Sequence, residues 1–237
     1  PTLNKVEINR FIFGIPGNLD AGKAALSRLA DEYRSIGEDM TPWVTDRQVS
    51  RTERASRVRF MQGVEAGWRR EAPLDAQSHG MAPSYHLTLA MPVSGRLPTL
   101  RTSFTHVSAL TLNGNSAHLQ LGQFLLAFPA LKRLSIQHYT LGELPLTLAS
   151  LHQLTHLSLD NCALRLTPTA INALGTMLHL ERLDLNNNPL ELTPDISRLT
   201  ALSHISLRNT RLKEIPPSLL RPKASLTAVD LSHNAIQ

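Results

Sequence analysis

Four stretches of this 237-residue chain carry residue types that could do chemistry. The first, Gly17-Asn-Leu-Asp-Ala-Gly22-Lys23-Ala24, copies the spacing of a phosphate-cradling G-x-x-x-x-G-K-S/T loop between an apolar stretch and a helix. That loop needs a hydroxyl after the lysine to hold Mg²⁺, and N–H groups aimed at the phosphates. Ala24 has no hydroxyl, and Asp20 would put a carboxylate among the phosphates. The roughly eighty residues before the later repeats also supply no parallel sheet with a second acidic strand. We read this stretch as a chance pattern, which leaves no argument for an ATP-using enzyme. The second candidate is Cys162, the only cysteine, which stands where a small, partly buried group belongs. Third, His152 and His156 have zinc-like spacing only on a helix, and one lies before a strand and the other on it, so no metal site is expected. Fourth, Arg47, Arg51, Arg54, Arg57 and Arg59 form a basic run on an expected helix, with Asp46 and Glu53 interleaved. We read the run as a solvated face rather than a seat for phosphate or anionic lipid. Asp, His and Ser recur along the chain without the mutual placement that a catalytic triad requires.

What must position any functional residue is the stretch from Val107 to the end. It repeats one phrase six times, L-x-x-L-x-L-x-x-N-x-L, starting at residues 107, 131, 154, 180, 202 and 226. The cleanest copy is Leu180-Glu-Arg-Leu183-Asp-Leu185-Asn-Asn-Asn188-Pro-Leu190. Successive starts differ by 24, 23, 26, 22 and 24 residues, the period of a leucine-rich repeat. Alternation at Leu183 and Leu185 puts both on one face of a short strand, with Leu180 and Leu190 anchoring the turns beside it. One such unit cannot bury its apolar face, so neighbours stack and share a core. Each buried aliphatic side chain contributes about 1.5–3 kcal/mol against chain-ordering entropy. The ninth position reads Asn115, Tyr139, Cys162, Asn188, Thr210 and Asn234; Tyr139 is too large to copy an Asn, so the first coils should be the less regular ones. Thr167-Pro168 reads as an N-cap with proline at the first helical position, opening a helix to about Met177. The expected fold is α/β: a leucine-rich-repeat solenoid, a curved parallel sheet on its concave face, with an α-helical N-terminal cap.

Outward strand positions then fall into columns. The third-position column is Ala109, Arg133, His156, Arg182, His204 and Ala228; the fifth is Thr111, Ser135, Ser158, Asp184, Ser206 and Asp230; the seventh is Asn113, Gln137, Asp160, Asn186, Arg208 and Ser232. A basic ridge of Arg133, His156, Arg182 and His204 should therefore lie beside an acidic strip of Asp160 and Asp184. With Asn186 and Arg208, these form the expected partner-binding face, polar and without aromatic anchors. No cofactor is implied.

Ahead of the repeats the signals are local. Val6 to Phe13 reads as a strand or buried extended segment, broken at Ile15-Pro16-Gly17. Asn18 or Asp20 caps a helix through Leu26, Leu29, Tyr33 and Ile36, closed by Gly37. Residues 38–44 read as a linker. Thr45-Asp-Arg-Gln48 fits a capping box for a second helix to about Arg70, with Val49, Ala55, Val58, Met61, Val64 and Trp68 as its apolar stripe. Leu74 to Pro83 is polar and the weakest candidate for order, and Tyr85-His-Leu87-Thr-Leu89 alternates like a strand beside the first repeat. The divisions expected are a helical region over 1–82, a capping strand and linker over 83–106, and repeats over 107–237.

Net charge is +5, with +3 on residues 1–70 and +2 on the remainder, short of a nucleic-acid-binding domain. No apolar run approaches the roughly 18–20 residues of a membrane span. One cysteine excludes an intramolecular disulfide framework and leaves a reducing destination open. The chain opens on Pro1 and stops at Ile236-Gln237 before the sixth return is written, so both ends look cut from something longer.

The repeats "LTHLSLDNCALRLTPTAINAL", "LERLDLNNNPLELTPDISRL", "LRNTRLKEIPPSLL" and "LTAVDLSHNAI" resemble those of bacterial leucine-rich-repeat effectors of the novel E3 ubiquitin ligase type. Val64-Glu-Ala-Gly-Trp68-Arg-Arg-Glu-Ala-Pro73 resembles the tryptophan-bearing helix that precedes the repeats in that group. The resemblance implies a secreted bacterial protein delivered to the host cytoplasm. Its repeats would select a host or bacterial protein, and a separate C-terminal helical domain would transfer ubiquitin through a Cys-x-Asp motif. Cys162 is followed by Ala163-Leu164, so this chain lacks that motif. The alternative is a structural or autoinhibitory repeat module of a toxin with a different output domain.

Overall fold

A computed structural model describes residues 5–80, 82–221 and 223–237; residues 1–4 and Met81 of the expected N-terminal region, and Pro222, lie outside the described residues. Repeat alternation builds the sheet. Strands β1 (Tyr85–Leu89), β3 (Val107–Gln120), β4 (Arg133–Thr140), β5 (His156–Asp160), β6 (Arg182–Asp184), β7 (His204–Ser206) and β8 (Ala228–Asp230) lie side by side in chain order, while β2 (Gly95–Arg96) pairs with the far end of β3. Every pairing among these strands is parallel. The inward residues Leu110, Leu134, Leu157, Leu183 and Ile205 are buried in register, forming one continuous core. The molecule is thus an α/β leucine-rich-repeat solenoid.

Between strands the chain returns through short helical turns at Leu146–Ser150 and Pro217–Leu219 and through the helix α4 (Pro168–Gly175). The Thr167 side chain caps α4 as expected, accepting from Ala170 N–H at 3.1 Å.

The helical front departs from its local signals wherever distant packing outweighs them. Val6 to Phe13 lies in a helix, α1 (Lys5–Phe13), and not in a strand. Gly14, at φ +62°, closes α1, with Ile15 N–H donating to Arg10 O at 2.8 Å. This is the 6→1 closure of a Schellman turn. Asn18 caps the next helix, α2 (Leu19–Val44), which runs past Gly37 and Pro42 through the expected linker. The reason is the buried i, i+4 stripe Ile36–Met40–Val44. Its burial outweighs the roughly 1 kcal/mol that a mid-helix glycine costs, and Pro42 comes too near the end to break much. Thr45 belongs to the end of α2, its hydroxyl donating to Thr41 O at 2.8 Å. The cap of α3 (Arg51–Trp68) is instead Ser50, which accepts from Glu53 N–H at 3.0 Å.

α3 buries Ser56, Arg57, Phe60, Val64, Gly67 and Trp68, while Ala55 and Val58 of the expected stripe stay exposed. Gly63 and Gly67 let α3 sit directly on β1: a Cβ at Gly63 would come within 2.7 Å of Leu89 Cδ2, and one at Gly67 within 3.0 Å of Leu87 Cδ1. A run of rings, Phe60–Phe124–Phe128–Phe104, with centroids 5.8, 5.4 and 5.0 Å apart, joins α3 to the first coils. Among the described residues no helix is long and apolar enough to cross a membrane.

Candidate functional site

Strand register aligns the outward columns. One runs His86–Ala109–Arg133–His156–Arg182–His204–Ala228, and a second Thr88–Thr111–Ser135–Ser158–Asp184–Ser206–Asp230. Between them lies an open trough of about 500 Å³, reaching from His86 to Asp230. His86 and Thr88 extend both columns by one strand. The reading by repeats missed them because β1 lies outside the six phrases, although its Tyr85-x-Leu87-x-Leu89 alternation is the same signal.

The eight expected residues meet different fates. Arg133 is taken: its guanidinium donates to the buried carboxylate of Asp75, which also accepts from Ser108 Oγ at 2.5 Å and from Gln77 N–H at 3.1 Å. Burial by itself would raise the Asp75 pKa, but the bonds from Arg133, Ser108 and Gln77 outweigh it and hold the carboxyl below its usual range. Asp75 also fixes the stretch that composition marked as weakly ordered, because Leu74 bridges Tyr85 and Asp75 N–H donates to Ser84 O at 2.8 Å. His156 and His204 are held alike, Nδ1 lying 2.8 Å from Thr155 Oγ1 and 2.7 Å from Ser203 Oγ. Burial lowers the His156 pKa; of the nearby charges Glu181 opposes this, while Arg182, Arg133 and His204 add to it. Arg182 is exposed, and its guanidinium lies 3.4 Å from His204 Nε2.

On the acidic side, Asp160 accepts from Asn187 Nδ2 at 2.7 Å. Asp184 is half-buried; burial, with Asp160 and Asp230 nearby, raises its pKa, while the bond from Asn186 N–H opposes this. Asn186 Oδ1 is consumed internally, accepting from Ser206 Oγ at 2.7 Å and Arg208 N–H at 2.8 Å, while the Arg208 side chain is exposed. The face therefore offers Arg182, flanked by two histidines, and less of the ridge than its sequence suggested. The chain's own front end reaches the hollow at Arg133, and the trough continues from there to Asp230.

The other chemical candidates are structural. Asn18 Oδ1 accepts from Asp20 and Ala21 N–H at 3.0 and 3.2 Å, which uses donors a phosphate would need, and the segment before it is a helix. Cys162 is buried with Sγ 3.4 Å from the carbonyls of Ile136 and Asp160, and burial pushes its thiol up to about 12. Nucleophilic attack needs the thiolate, which this site disfavours. His152 is exposed, away from the column that holds His156. Within the arginine run, Arg57 is buried: it pairs with Glu53 at 3.0 Å, donates to Trp43 O and Ser94 O at 2.7 and 2.9 Å, and lies 4.6 Å over the Trp43 ring. It binds α3 to the loop before β2 and offers nothing to a ligand.

Residues 179–199 match the model of the Leucine Rich Repeat family. No curated protein matches the chain. Among solved structures, an internalin, InlF, from Listeria monocytogenes matches over 65% of this chain and 43% of its own, at 21% identity and TM-score 0.51. A leucine-rich-repeat protein of Leptospira interrogans matches over 56% of this chain and 39% of its own, at 24% identity and TM-score 0.44. The leucine-rich-repeat domain of the type III effector XopL matches over 83% of this chain and 71% of its own, at 19% identity and TM-score 0.47. The likeness is one of fold, and the chain spans less than half the length of the internalin.

Proposed function

We propose that the chain is a protein-recognition module that holds a host or bacterial partner protein in its concave trough. One observation carries this: the column His156–Arg182–His204 stands in an open hollow, and among the described residues none of the three forms an ion pair. Solenoids use such curved faces for extended contacts, and arginine is favoured at interface hot spots. Following the resemblance of its repeats, we assign the module to a longer, secreted bacterial effector that acts in the host cytoplasm. Ubiquitin transfer there belongs to a separate Cys-x-Asp domain, in which the buried Cys162 has no part.

The test is a trough-filling variant, Ser158→Tyr, used beside the native chain as bait against host-cell and bacterial extracts. Proteins held by the native chain should be lost from the variant and retained by a variant outside the trough, Arg165→Glu. A captured set indifferent to Ser158→Tyr would overturn the concave reading. Ubiquitin transfer by this chain alone, supplied with charged conjugating enzyme, would overturn the division of labour.

A further inference from the structure

The recognition reading leaves open what the trough recognises, and the chain holds a worked example of its own. Asp75 is a carboxylate seated on the face: Arg133 grips one oxygen and Ser108 donates to the other. In repeat terms, Ser108 is the second residue of one phrase and Arg133 the third residue of the next, so the seat is a diagonal between neighbouring strands.

Two coils later the same diagonal recurs. His156 pairs with Arg182 as Ala109 pairs with Arg133, which puts Thr155 in the place of Ser108. The backbone repeats as well: Lys132 N–H donates to Ser108 O at 2.8 Å, and Glu181 N–H to Thr155 O at 2.7 Å. What differs is occupancy. Arg133 is half-buried under Asp75, while Arg182 is exposed, in register with His156 and 3.4 Å from His204 Nε2. The hydroxyl also differs, since Thr155 Oγ1 is engaged with Lys132 O and with the His156 ring. The second seat therefore offers a guanidinium between two imidazoles. The nearby acids, Glu181 beside it in the chain and Asp184 at the end of the strand, make no ion pair with Arg182 among the described residues, the Asp184 carboxylate being bound to Asn186 N–H at 2.9 Å.

We infer that Arg182, with His156 and His204 at its sides, is the open copy of a carboxylate seat whose first copy is filled by Asp75. The partner then meets the trough with an acidic segment, and an Asp or Glu side chain of that segment lies on Arg182. Guanidinium and carboxylate match in a planar, bidentate fit. The inference rests on the concave recognition reading but commits it to one ligand chemistry.

The experiment is selection of phage-displayed random linear peptides on the immobilised full chain. The best binder is then synthesised with its acidic residues intact and replaced by their amides, and binding is measured by fluorescence anisotropy. Selected peptides should be rich in Asp and Glu. Arg182→Gln and the amide peptide should each weaken binding roughly tenfold, with little further loss when combined, as a coupled pair requires. Arg59→Gln on α3 should change nothing, and matched thermal melts show that the variants fold. A selection that yields no acidic peptide overturns the inference, as does an acidic binder indifferent to Arg182→Gln. If neutral peptides bind and Ser158→Tyr blocks them, the carboxylate seat fails while concave recognition stands. Binders indifferent to Ser158→Tyr remove both.

Discussion

The front and rear coils solve one problem by different chemistry. In the rear coils each inward turn leaves buried backbone groups, and asparagine satisfies them. Asn188 Oδ1 accepts from Cys162 and Leu164 N–H at 2.9 and 3.0 Å, while its Nδ2 donates to Leu159, Leu185 and Asn186 carbonyls. Asn234 repeats this toward Thr210 and Leu212. In the front coils Asn115 is exposed and joins no such ladder, a departure from the expected first rung. Tyr139 works there instead. Fully buried, it reaches back across the sheet to donate to Met91 O at 2.5 Å and accept from Val93 N–H at 3.3 Å. The phenol fits only because Gly114 faces it; a Cβ there would lie 2.1 Å from the ring. An amide mends its own turn and its neighbour's, so it can be copied from coil to coil. A phenol needs a partner loop and a glycine made for it, so it works once, where the repeats meet the front end.

Three measurements sharpen that contrast, from large effect to small. Asn188→Ala should lower stability by about 4 kcal/mol in urea denaturation, since several buried backbone groups lose their partner together. Tyr139→Phe should lower it by about 2 kcal/mol, because only Met91 O and Val93 N–H are affected. A larger loss at Tyr139 than at Asn188 would reverse the ranking of the two devices. Asp75→Asn should lower stability by about 1 kcal/mol at neutral pH, the smallest of the three, because the amide can keep the bonds to Gln77, Arg133 and Ser108 and only the charge is lost. Its pH dependence has a definite sign. The Asp75 pKa is held down in the folded chain, so its contribution is full above the ordinary carboxylate range and is lost as pH falls through the depressed value. Native and Asp75→Asn stability curves should converge in acid; curves that stay parallel would mean the carboxylate charge contributes nothing.

The rear of the molecule was legible because its signal is local and repeated. Strands, columns and the α4 cap all follow from spacing within one phrase. The front was not legible for the opposite reason. Val6 to Phe13 is a short apolar run, which periodicity alone cannot assign to helix or strand. Gly37 and Pro42 look like stops until Ile36, Met40 and Val44 are seen buried together. Thr45 and Ser50 both head a capping pattern, and Arg57 is buried by bonds to Trp43 O and Ser94 O, partners that no local pattern signals. Within the candidate site the columns were readable, but the loss of Arg133 was not. Asp75 lies 58 residues away in a stretch with no pattern of its own.

The alternation along the third column has a metric consequence. Adjacent strands are about 4.8 Å apart, so arginine recurs from Arg133 to Arg182, and histidine from His156 to His204, at a graduation of about 9.6 Å. A ligand displaced sideways by one strand, about 4.8 Å, would trade the open guanidinium of Arg182 for an imidazole on either side. The hollow works as a ruler with two kinds of mark, and a misaligned guest is told apart by chemistry rather than by collision.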